Sequence, residues 1–345
     1  MLIVMRVIAQ ALLTAYCGFV ALWFLCNRLF QDAFWLPVVL DKFAEYFLLP
    51  SLLIFLLSLF LGNARLSVLT LIPMGIAAYF YLPLYFPLKQ NISETQAGFS
   101  NTLLRVGTYN IWNHNKNLDS VVTIINESQA DVIAIQELTE EQKPEFISLM
   151  QKTYPHYHVS RPVYGGTTAL FAKKPLNKIQ ELDFNIDRPA ILADVNVGDV
   201  IVTVVSAHLN PSFWAYNNKP LLQIPGNYYQ YIKDQNSQAQ MIIDASMART
   251  ESSAVILACD CNSQETASTN RLLGRFFSES LRYLGWQKGW PKEKMLRFER
   301  NLRHIDYVWF HGSTEPVSVY RGKETAGSDH APVLADFKLH ANRQP

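Results

Sequence analysis

The chain has 345 residues, of which 49% are hydrophobic and 12% aromatic, and this excludes a largely disordered protein. The length allows one large domain or two ordinary ones. Residues 1–90 carry five basic and three acidic side chains, which leaves 25 basic and 26 acidic ones in the remainder. The remainder therefore lacks the basic excess typical of proteins that bind nucleic acid without sequence preference.

Three long uncharged runs predict a membrane-spanning region in residues 1–90. Val7–Cys26 contains 20 residues, Tyr46–Gly62 contains 17 and Leu66–Pro87 contains 22. Each is long enough, or nearly so, to cross a hydrocarbon layer about 30 Å thick. The first run is too long for a cleaved signal peptide, and two more apolar runs follow it. We therefore expect about three spanning helices, at residues 5–26, 46–62 and 66–87.

The charges beside these runs favour one membrane topology only weakly. We expect the amino terminus in the cytoplasm and the large domain on the non-cytoplasmic side. Residues 91–101 are polar and predict a linker, so the predicted soluble domain covers residues 102–340.

In the soluble domain, short β-rich runs alternate with helical segments. The predicted strands are Leu103–Trp112, Asp131–Gln136, Thr168–Ala172, Ala190–Val197, Val200–His208, Ala254–Cys259, His304–Phe310 and Val333–Lys338. The predicted helices are Leu118–Ser128, Glu140–Lys152 and Asn236–Met247. Gly198-Asp199 is a strong hairpin signal. This mixed order predicts a four-layer α/β sandwich, in which two packed mixed sheets are flanked by helices.

The four cysteines do not form a disulfide framework, since Cys17 and Cys26 lie in the first apolar run. A bridge between Cys259 and Cys261 would close a very small ring, so we expect these two residues to stay unpaired. Two sulfurs two residues apart also fall short of a zinc signature.

Acid, amide and imidazole groups recur at the ends of separate apolar strands. Taken singly, an Asp or Asn before a turn is usually a cap or turn residue, and a lone His is usually structural. Strand ends of one sheet converge on one rim, so such groups can meet in space. The set comprises Asn110, Glu137, His208, Asn210, Asp260, Asn262, Asp306, Asp329 and His330.

The stretches TYNIW, IQEL, HLN, CDCN, HIDYV and SDHAPV resemble, in this order, motifs of the endonuclease/exonuclease/phosphatase superfamily. The resemblance extends from about Leu103 to Lys338. It implies the four-layer fold and hydrolysis of a phosphoester that depends on Mg²⁺ or Mn²⁺. Where the family usually has Gly-Asp-Phe-Asn, this chain has Cys-Asp-Cys-Asn, which keeps the carboxylate and the amide.

The resemblance also implies catalytic roles. His330 would be the catalytic imidazole and Asp306 its orienting partner. Asp260 would orient or deprotonate the attacking water, while Asn262 and His208 would bind phosphate oxygens.

Other residues are expected to hold the metal or the substrate. Glu137 would be the primary metal ligand, with Asn110 beside it and Asp329 on the metal side of the site. Asn210 and Trp214 are candidates for substrate binding.

The segment over residues 211–235 is too apolar for an ordinary solvated loop. Either it packs on the sandwich as a small core of its own, or it forms a flap that touches lipid or an apolar substrate tail. The expected partners are a lipid bilayer and a phosphoester substrate, with no protein partner inferred. The main hypothesis is a membrane-anchored, divalent-metal-dependent phosphoester hydrolase, a phosphodiesterase or phosphatase, for which a lipid-linked phosphoester is an attractive substrate. The alternatives are an endonuclease or exonuclease acting on DNA or RNA and a catalytically inactive membrane scaffold.

Overall fold

A computed structural model of the chain describes residues 2–30, 33–84, 86, 103–163, 166–184, 188–211, 223–284, 304–322 and 324–340. In the described part of its N-terminal region, helices are joined by short turns. The helices there are α1 (Leu2–Leu29), α2 (Trp35–Asp41), α3 (Ala44–Leu48), α4 (Ser51–Phe60) and α5 (Ala64–Tyr81). The predicted linker, residues 91–101, lies outside the described residues.

Two segments in the described part of the chain, Ile3–Leu29 and Ala64–Leu84, are apolar and long enough to cross a membrane. Trp35–Asp41 and Ala44–Phe60 pass the same test only together, and they meet at an angle of 73°. The predicted span over residues 46–62 falls largely within Ala44–Phe60, the second part of this bent pair, and the bend lies before it, at residues 42 and 43. Within Ala44–Phe60, Pro50 lies between α3 and α4 and has no backbone N–H to donate.

Twelve strands form the described part of the domain. They are β1 (Leu103–Asn110), β2 (Val132–Leu138), β3 (His156–Val159), β4 (Thr167–Ala172), β5 (Leu176–Leu182), β6 (Ala190–Val197), β7 (Val200–His208), β8 (Ala254–Asp260), β9 (Ser278–Glu279), β10 (Asp306–Gly312), β11 (Thr314–Arg321) and β12 (Val333–Leu339). The helices are α6 (Leu118–Ser128), α7 (Lys143–Met150), α8 (Ile224–Met247), α9 (Ser268–Leu273) and α10 (Ser280–Leu284).

The strands form two six-stranded sheets. The first has the order β11-β12-β1-β2-β4-β3 and the second β5-β6-β7-β8-β10-β9. Apolar residues between the two sheets form one core cluster. On its outer face, each sheet forms one further cluster with the helices that cover it. Both sheets contain parallel and antiparallel pairs, so the predicted four-layer sandwich with mixed sheets is confirmed.

The strand β8 shows why a continuous apolar run folds as an interior strand. Ala254, Ile256 and Ala258 contact the core between the sheets. Val255 and Leu257 contact the cluster beneath the outer helices. Side chains alternate between the two faces of a strand, and here both faces are covered.

Two features of the domain differ from the sequence-based expectation. Helix α8 begins at Ile224 rather than Asn236, so the second half of the predicted flap over residues 211–235 is helical. Residues 212–222 lie outside the described part. Strands β3, β5, β9 and β11 were not predicted.

The N-terminal helices pack against the domain through apolar and polar contacts. Val38 of α2 forms a small buried cluster with Tyr228 and Ile232 of α8. Three hydrogen bonds also cross this contact: Arg271 Nη1 to Asn27 Oδ1 (2.6 Å), Arg282 Nη2 to the Phe80 carbonyl oxygen (2.7 Å), and Thr266 Oγ1 to the Asp41 carbonyl oxygen (3.1 Å).

Candidate active site

Strand alternation directs four polar side chains into the space between the sheets. In β8 the residues Ala254, Ile256 and Ala258 face that space, so Asp260, two positions further, faces it as well. The same alternation applies to β1, β7 and β10. It brings Asn110, His208 and Asp306 to the same side.

The strand register then brings these four residues together. Asp260 pairs with His208 of the parallel strand β7 and with Asp306 of the antiparallel strand β10. From the other sheet, Asn110 Nδ2 donates hydrogen bonds to Asp260 Oδ2 (2.9 Å) and Glu137 Oε1 (3.1 Å). Asp260 therefore lies at the centre of the candidate site.

Glu137 reaches the site because of a β-bulge in β2. The register of β2 against β4 shifts between Gln136 and Leu138, and Glu137 between them has a φ of +64°. Ile135 and Leu138 both contact the outer core, so Glu137 is the extra residue that the bulge redirects. Its Oε2 accepts a hydrogen bond from the backbone N–H of Asn113 (3.1 Å).

Gly166 permits this bulge. A Cβ atom at Gly166 would lie 2.6 Å from the carbonyl carbon of Glu137, and the φ of Gly166 is +97°. Only glycine adopts this backbone conformation readily while leaving room for the neighbouring chain.

His330 and Asp306 form a hydrogen-bonded pair. His330 Nδ1 lies 2.9 Å from Asp306 Oδ2, and His330 Nε2 lies 3.8 Å from Asp260 Oδ2. Burial of the His330 ring opposes its protonation, but Asp306 and Asp260 outweigh that effect and raise the pKa of His330 to about 10. At neutral pH this imidazole is protonated and its Nε2 can donate a proton.

Asp260 is fully buried among other carboxylates. Burial, with a further contribution from Asp306 and Glu137, raises the pKa of Asp260 to about 7, although His330 and Asn110 oppose the shift. A carboxyl group with this pKa exchanges its proton near neutral pH, as a general base must.

His208 is neutral in this environment. Burial, together with the positive charges of Arg188 and His330, lowers the pKa of His208 well below its usual value. Its two ring nitrogens make no hydrogen bond with any residue that the structure describes, although Nε2 lies 3.4 Å from Asp260 Oδ2. A buried imidazole without a partner is available to an incoming polar group.

Asn262 closes the site beyond β8. Its φ of +48° is left-handed, and its backbone N–H donates to Asp260 Oδ1 (3.1 Å). Its side chain donates to the carbonyl oxygen of Leu209 (3.0 Å). Asn210 is buried behind the site, and its Oδ1 lacks a partner among the described residues.

A cavity of about 290 Å³ opens over these groups. Six of the residues singled out from the sequence line it: Glu137, Asp260, Asn262, Asp306, Asp329 and His330. His208 and Asn110 lie beneath it. Asp329, whose side chain is 53% exposed, lies at its rim, with Oδ1 4.0 Å from His330 Nε2.

Three charged residues of the cavity wall were missed by the sequence analysis: Asp41, Lys42 and Arg321. Asp41 and Lys42 belong to the N-terminal helices, where their charge between two apolar runs was the available signal. Arg321 ends β11, which was itself not predicted.

The composition of the cavity fits a divalent cation. Five carboxylates line it (Asp41, Glu137, Asp260, Asp306 and Asp329), against Lys42 and Arg321 as permanent cations. Hard oxygen ligands of this kind suit Mg²⁺ or Mn²⁺. Ligand atoms of Asp260, Asp306 and His330 also lie within 4.8 Å of one another, and this group could hold a metal ion only when the His330 ring is neutral.

Of the predicted residues Asn110 and Trp214, the structure describes only Asn110. The oxygen of the Asn110 side chain accepts a hydrogen bond from the backbone N–H of Trp112 (2.9 Å), and its nitrogen faces the carboxylates. Trp214 lies outside the described residues.

The expectation that Cys259 and Cys261 stay unpaired is wrong, since the structure joins them by a disulfide. Residues two apart in a strand face the same side. At the end of β8 their Cα atoms are 5.2 Å apart, within the usual disulfide range of about 4.4–6.8 Å. Both residues are buried in the apolar cluster under the outer helices, facing away from Asp260.

Comparisons with known proteins concern the family and the fold. The sequence profile of the Endonuclease/Exonuclease/phosphatase family matches residues 107–330. No curated protein sequence matches the chain at a significant level.

Solved structures with a similar fold share little sequence with this chain. An endonuclease/exonuclease/phosphatase from Beutenbergia cavernae superposes with a TM-score of 0.52 at 17% identity, over 70% of this chain and 72% of its own. Truncated TDP2 from Caenorhabditis elegans superposes with a TM-score of 0.54 at 15% identity, over 70% of this chain and 100% of its own. The endonuclease/exonuclease/phosphatase from Bacteroides vulgatus superposes with a TM-score of 0.52 at 14% identity, over 69% of this chain and 100% of its own.

Proposed function

The chain belongs to the endonuclease/exonuclease/phosphatase family, and from this premise we propose that it hydrolyses a lipid-linked phosphoester while its N-terminal helices hold it in a membrane. Phosphoester hydrolysis in general follows from the family. The membrane, the metal ion and the lipid-linked substrate are the parts that we add.

One observation carries the choice of substrate. The turn at Asp41 and Lys42, between α2 and α3, forms part of the wall of the catalytic cavity. These helices belong to the apolar region that contains the candidate membrane spans. A cavity that opens beside such a region favours a substrate that stays attached to the lipid layer.

A divalent cation held by Glu137, with Asp329 on the same side of the site, would offset phosphate charge and favour ionisation of the attacking water. The charge imbalance of the cavity supports this assignment.

The remaining chemistry belongs to the side chains of this chain. Asp260, with a pKa of about 7, accepts the proton of the attacking water. His330, which Asp306 orients through Nδ1, donates a proton from Nε2 to the leaving oxygen or to a phosphoryl oxygen. The same Asp306 stabilises the imidazolium before the transfer.

Several groups can position the phosphate. The neutral ring of His208 offers one N–H donor, and Lys42 and Arg321 add positive charge at the cavity wall. Lys42 also lies over the ring of Tyr228, at 5.2 Å from its centroid. A cation on the membrane-facing wall would contact the phosphate of a substrate that enters from the lipid surface.

We also propose that the catalytic domain lies on the non-cytoplasmic side. The disulfide between Cys259 and Cys261 supports this, because such bonds persist mainly in oxidising compartments. Protease protection in sealed vesicles tests it, since a domain that external protease cannot reach in right-side-out vesicles would contradict the assignment.

The test uses the purified full chain in nanodiscs with Mg²⁺ or Mn²⁺. Sphingomyelin, phosphoinositides, bis(p-nitrophenyl) phosphate, plasmid DNA and RNA are the substrates. We expect lipid hydrolysis that is lost in His330→Ala, and a fall of roughly tenfold in kcat/KM for the lipid in Lys42→Gln. Lys152→Gln, an exposed charge outside the cavity, is the matched control.

Other outcomes would identify other functions. Hydrolysis of DNA or RNA alone would replace the proposal by a nuclease. A chain that hydrolyses none of these substrates and binds no Mg²⁺ in calorimetry would be an inactive scaffold.

A further inference from the structure

A second cavity of about 680 Å³ lies between the N-terminal helices and the catalytic domain. Its wall combines Arg28 near the end of α1 and Tyr79 and Phe80 near the end of α5 with residues of α9 and α10. Within the described part of the chain, the linings of this cavity and of the catalytic one share no residue. We call it the junction cavity.

The junction cavity is positively charged. Among the described residues, its lining contains the arginines Arg28, Arg271, Arg275 and Arg282 and two acidic residues, Glu265 and Glu279. Both carboxylates are already engaged. Arg282 Nε donates to Glu265 Oε2 (2.8 Å), and Glu279 accepts backbone N–H groups of Leu281 and Arg282.

Two of the arginines keep unused donors. The guanidinium groups of Arg28 and Arg275 form no hydrogen bond or ion pair with any residue that the structure describes. Arg28 lies over the rings of Tyr79 and Phe80, at 4.8 and 5.3 Å from their centroids, which fixes its direction while leaving its N–H groups available. Arg275 is exposed to solvent at the cavity.

Neutral donors at the same cavity lack partners as well. Trp309 and Tyr283 line it, and the indole Nε1 of the first and the hydroxyl of the second are buried without a hydrogen-bond partner among the described residues. Cationic and neutral donors around one cavity suit an anion with several acceptor oxygens, such as a phosphate ester.

The position of the cavity indicates the source of that phosphate. Arg28 and Tyr79 lie at the ends of α1 and α5, the two helices that are long enough to cross a membrane. The neighbouring apolar side chains Leu25 and Leu29 are 52% and 70% exposed. A ligand with a phosphate in the cavity can therefore place acyl chains along these helices.

We propose that the junction cavity binds the phosphate head group of an anionic phospholipid that is not the substrate. Such a lipid joins the N-terminal helices to the domain, because the same phosphate contacts arginines of both. The proposal rests on the membrane placement given above, but it does not depend on catalysis.

The test measures lipid binding to the full chain in an uncharged detergent. Dihexanoyl phosphatidylglycerol is titrated while the midpoint of thermal unfolding is recorded, with dihexanoyl phosphatidylcholine as the zwitterionic control. We expect stabilisation by phosphatidylglycerol, and an apparent Kd that rises about tenfold in Arg275→Gln. Arg161→Gln removes an exposed charge outside the cavity and is expected to leave the Kd unchanged.

Hydrolysis of bis(p-nitrophenyl) phosphate by Arg275→Gln is expected to equal that of the unmodified chain, which separates this site from the catalytic one. Equal stabilisation by both lipids, or an equal Kd in both variants, would overturn the proposal. Stabilisation of the same size by glycerol phosphate would overturn the lipid assignment, because a soluble phosphate ester would then suffice.

Discussion

Asp260 owes its properties to the residues that converge on it from both sheets. Its carboxylate accepts a hydrogen bond from Asn110, lies near His208 and His330, and is only 1% exposed. The sequence predicts these groups as a set, because each follows an apolar strand. It does not predict their pKa values, since these depend on burial and on charges from distant parts of the chain. Nor does it reveal Lys42 and Arg321, which reach the cavity through packing of separate elements.

At this scale, we predict that Asp260→Asn and His330→Ala each lower turnover at least about a hundredfold. The first change removes the acceptor for the proton of water, and the second removes the donor. Turnover is measured on bis(p-nitrophenyl) phosphate, and circular dichroism verifies the fold. Full activity in either folded variant would contradict the assignment.

The pair of His330 and Asp306 predicts a pH dependence. The pKa of His330 is raised from 6.5 to about 10, so its protonated form stabilises the fold fully below pH 6.5 and ceases to do so as the pH rises through 10. Activity that needs this proton declines over the same alkaline range.

In Asp306→Asn the pKa of His330 falls, and the alkaline limb of kcat/KM moves to lower pH by about one unit or more. A pH profile of hydrolysis checks this, and NMR titration of the imidazole supplies a second readout. If the alkaline limb of kcat/KM in Asp306→Asn stays at the same pH, a group other than His330 causes the loss of activity at high pH.

At the scale of elements, the interior strands were predictable and the edge strands were not. All eight predicted strands are interior in their sheets, while β3, β5, β9 and β11 are the four edges. Interior strands are buried on both faces, so they appear in the sequence as continuous apolar runs. Edge strands carry polar residues, as in LNKIQEL of β5, or are very short, as in β9. The bulge at Glu137 left no signal of its own, because it depends on how β2 pairs with β4.

The bulge yields a prediction for Gly166→Ala. The added methyl group would lie 2.6 Å from the backbone of Glu137, on a residue with a left-handed φ, so Glu137 must move. We expect turnover and affinity for Mg²⁺ to fall roughly tenfold or more, with a loss of about 1–3 kcal/mol of stability.

Gly226→Ala is the matched control, since a Cβ there has nothing within 4 Å. It lies in the first turn of α8 and is expected to leave activity unchanged and to stabilise slightly. Equal behaviour of the two variants would show that the close approach at Gly166 does not position Glu137.

At the scale of the whole molecule, the N-terminal helices and the catalytic domain form one packed unit. The sequence distinguishes the two regions because one consists of long apolar runs and the other does not. It predicts neither the cluster of Val38 with α8 nor the hydrogen bonds from Arg271 and Arg282. Such contacts join residues more than 180 positions apart, and local pattern carries no information about them.

Val38→Asp tests this packing. A carboxylate at a side chain that is only 2% exposed cannot stay against Tyr228 and Ile232 without a partner, so α2 must separate from α8. We expect faster amide hydrogen exchange in the first turns of α8 and unchanged exchange in β7 and β8. Val317→Asp, at a side chain that is 44% exposed, is the control, and identical exchange in both variants would refute the coupling.

The turn at Asp41 and Lys42 has a consequence for how this protein can change over evolutionary time. Because that turn supplies part of the cavity wall, the N-terminal helices cannot be replaced by an unrelated segment without reshaping the space over Asp260 and His330. Substitutions in α2 and in the strand ends are therefore expected to affect one another. In homologues whose anchor differs, this corner of the cavity, and with it the range of accepted phosphoesters, is expected to differ as well.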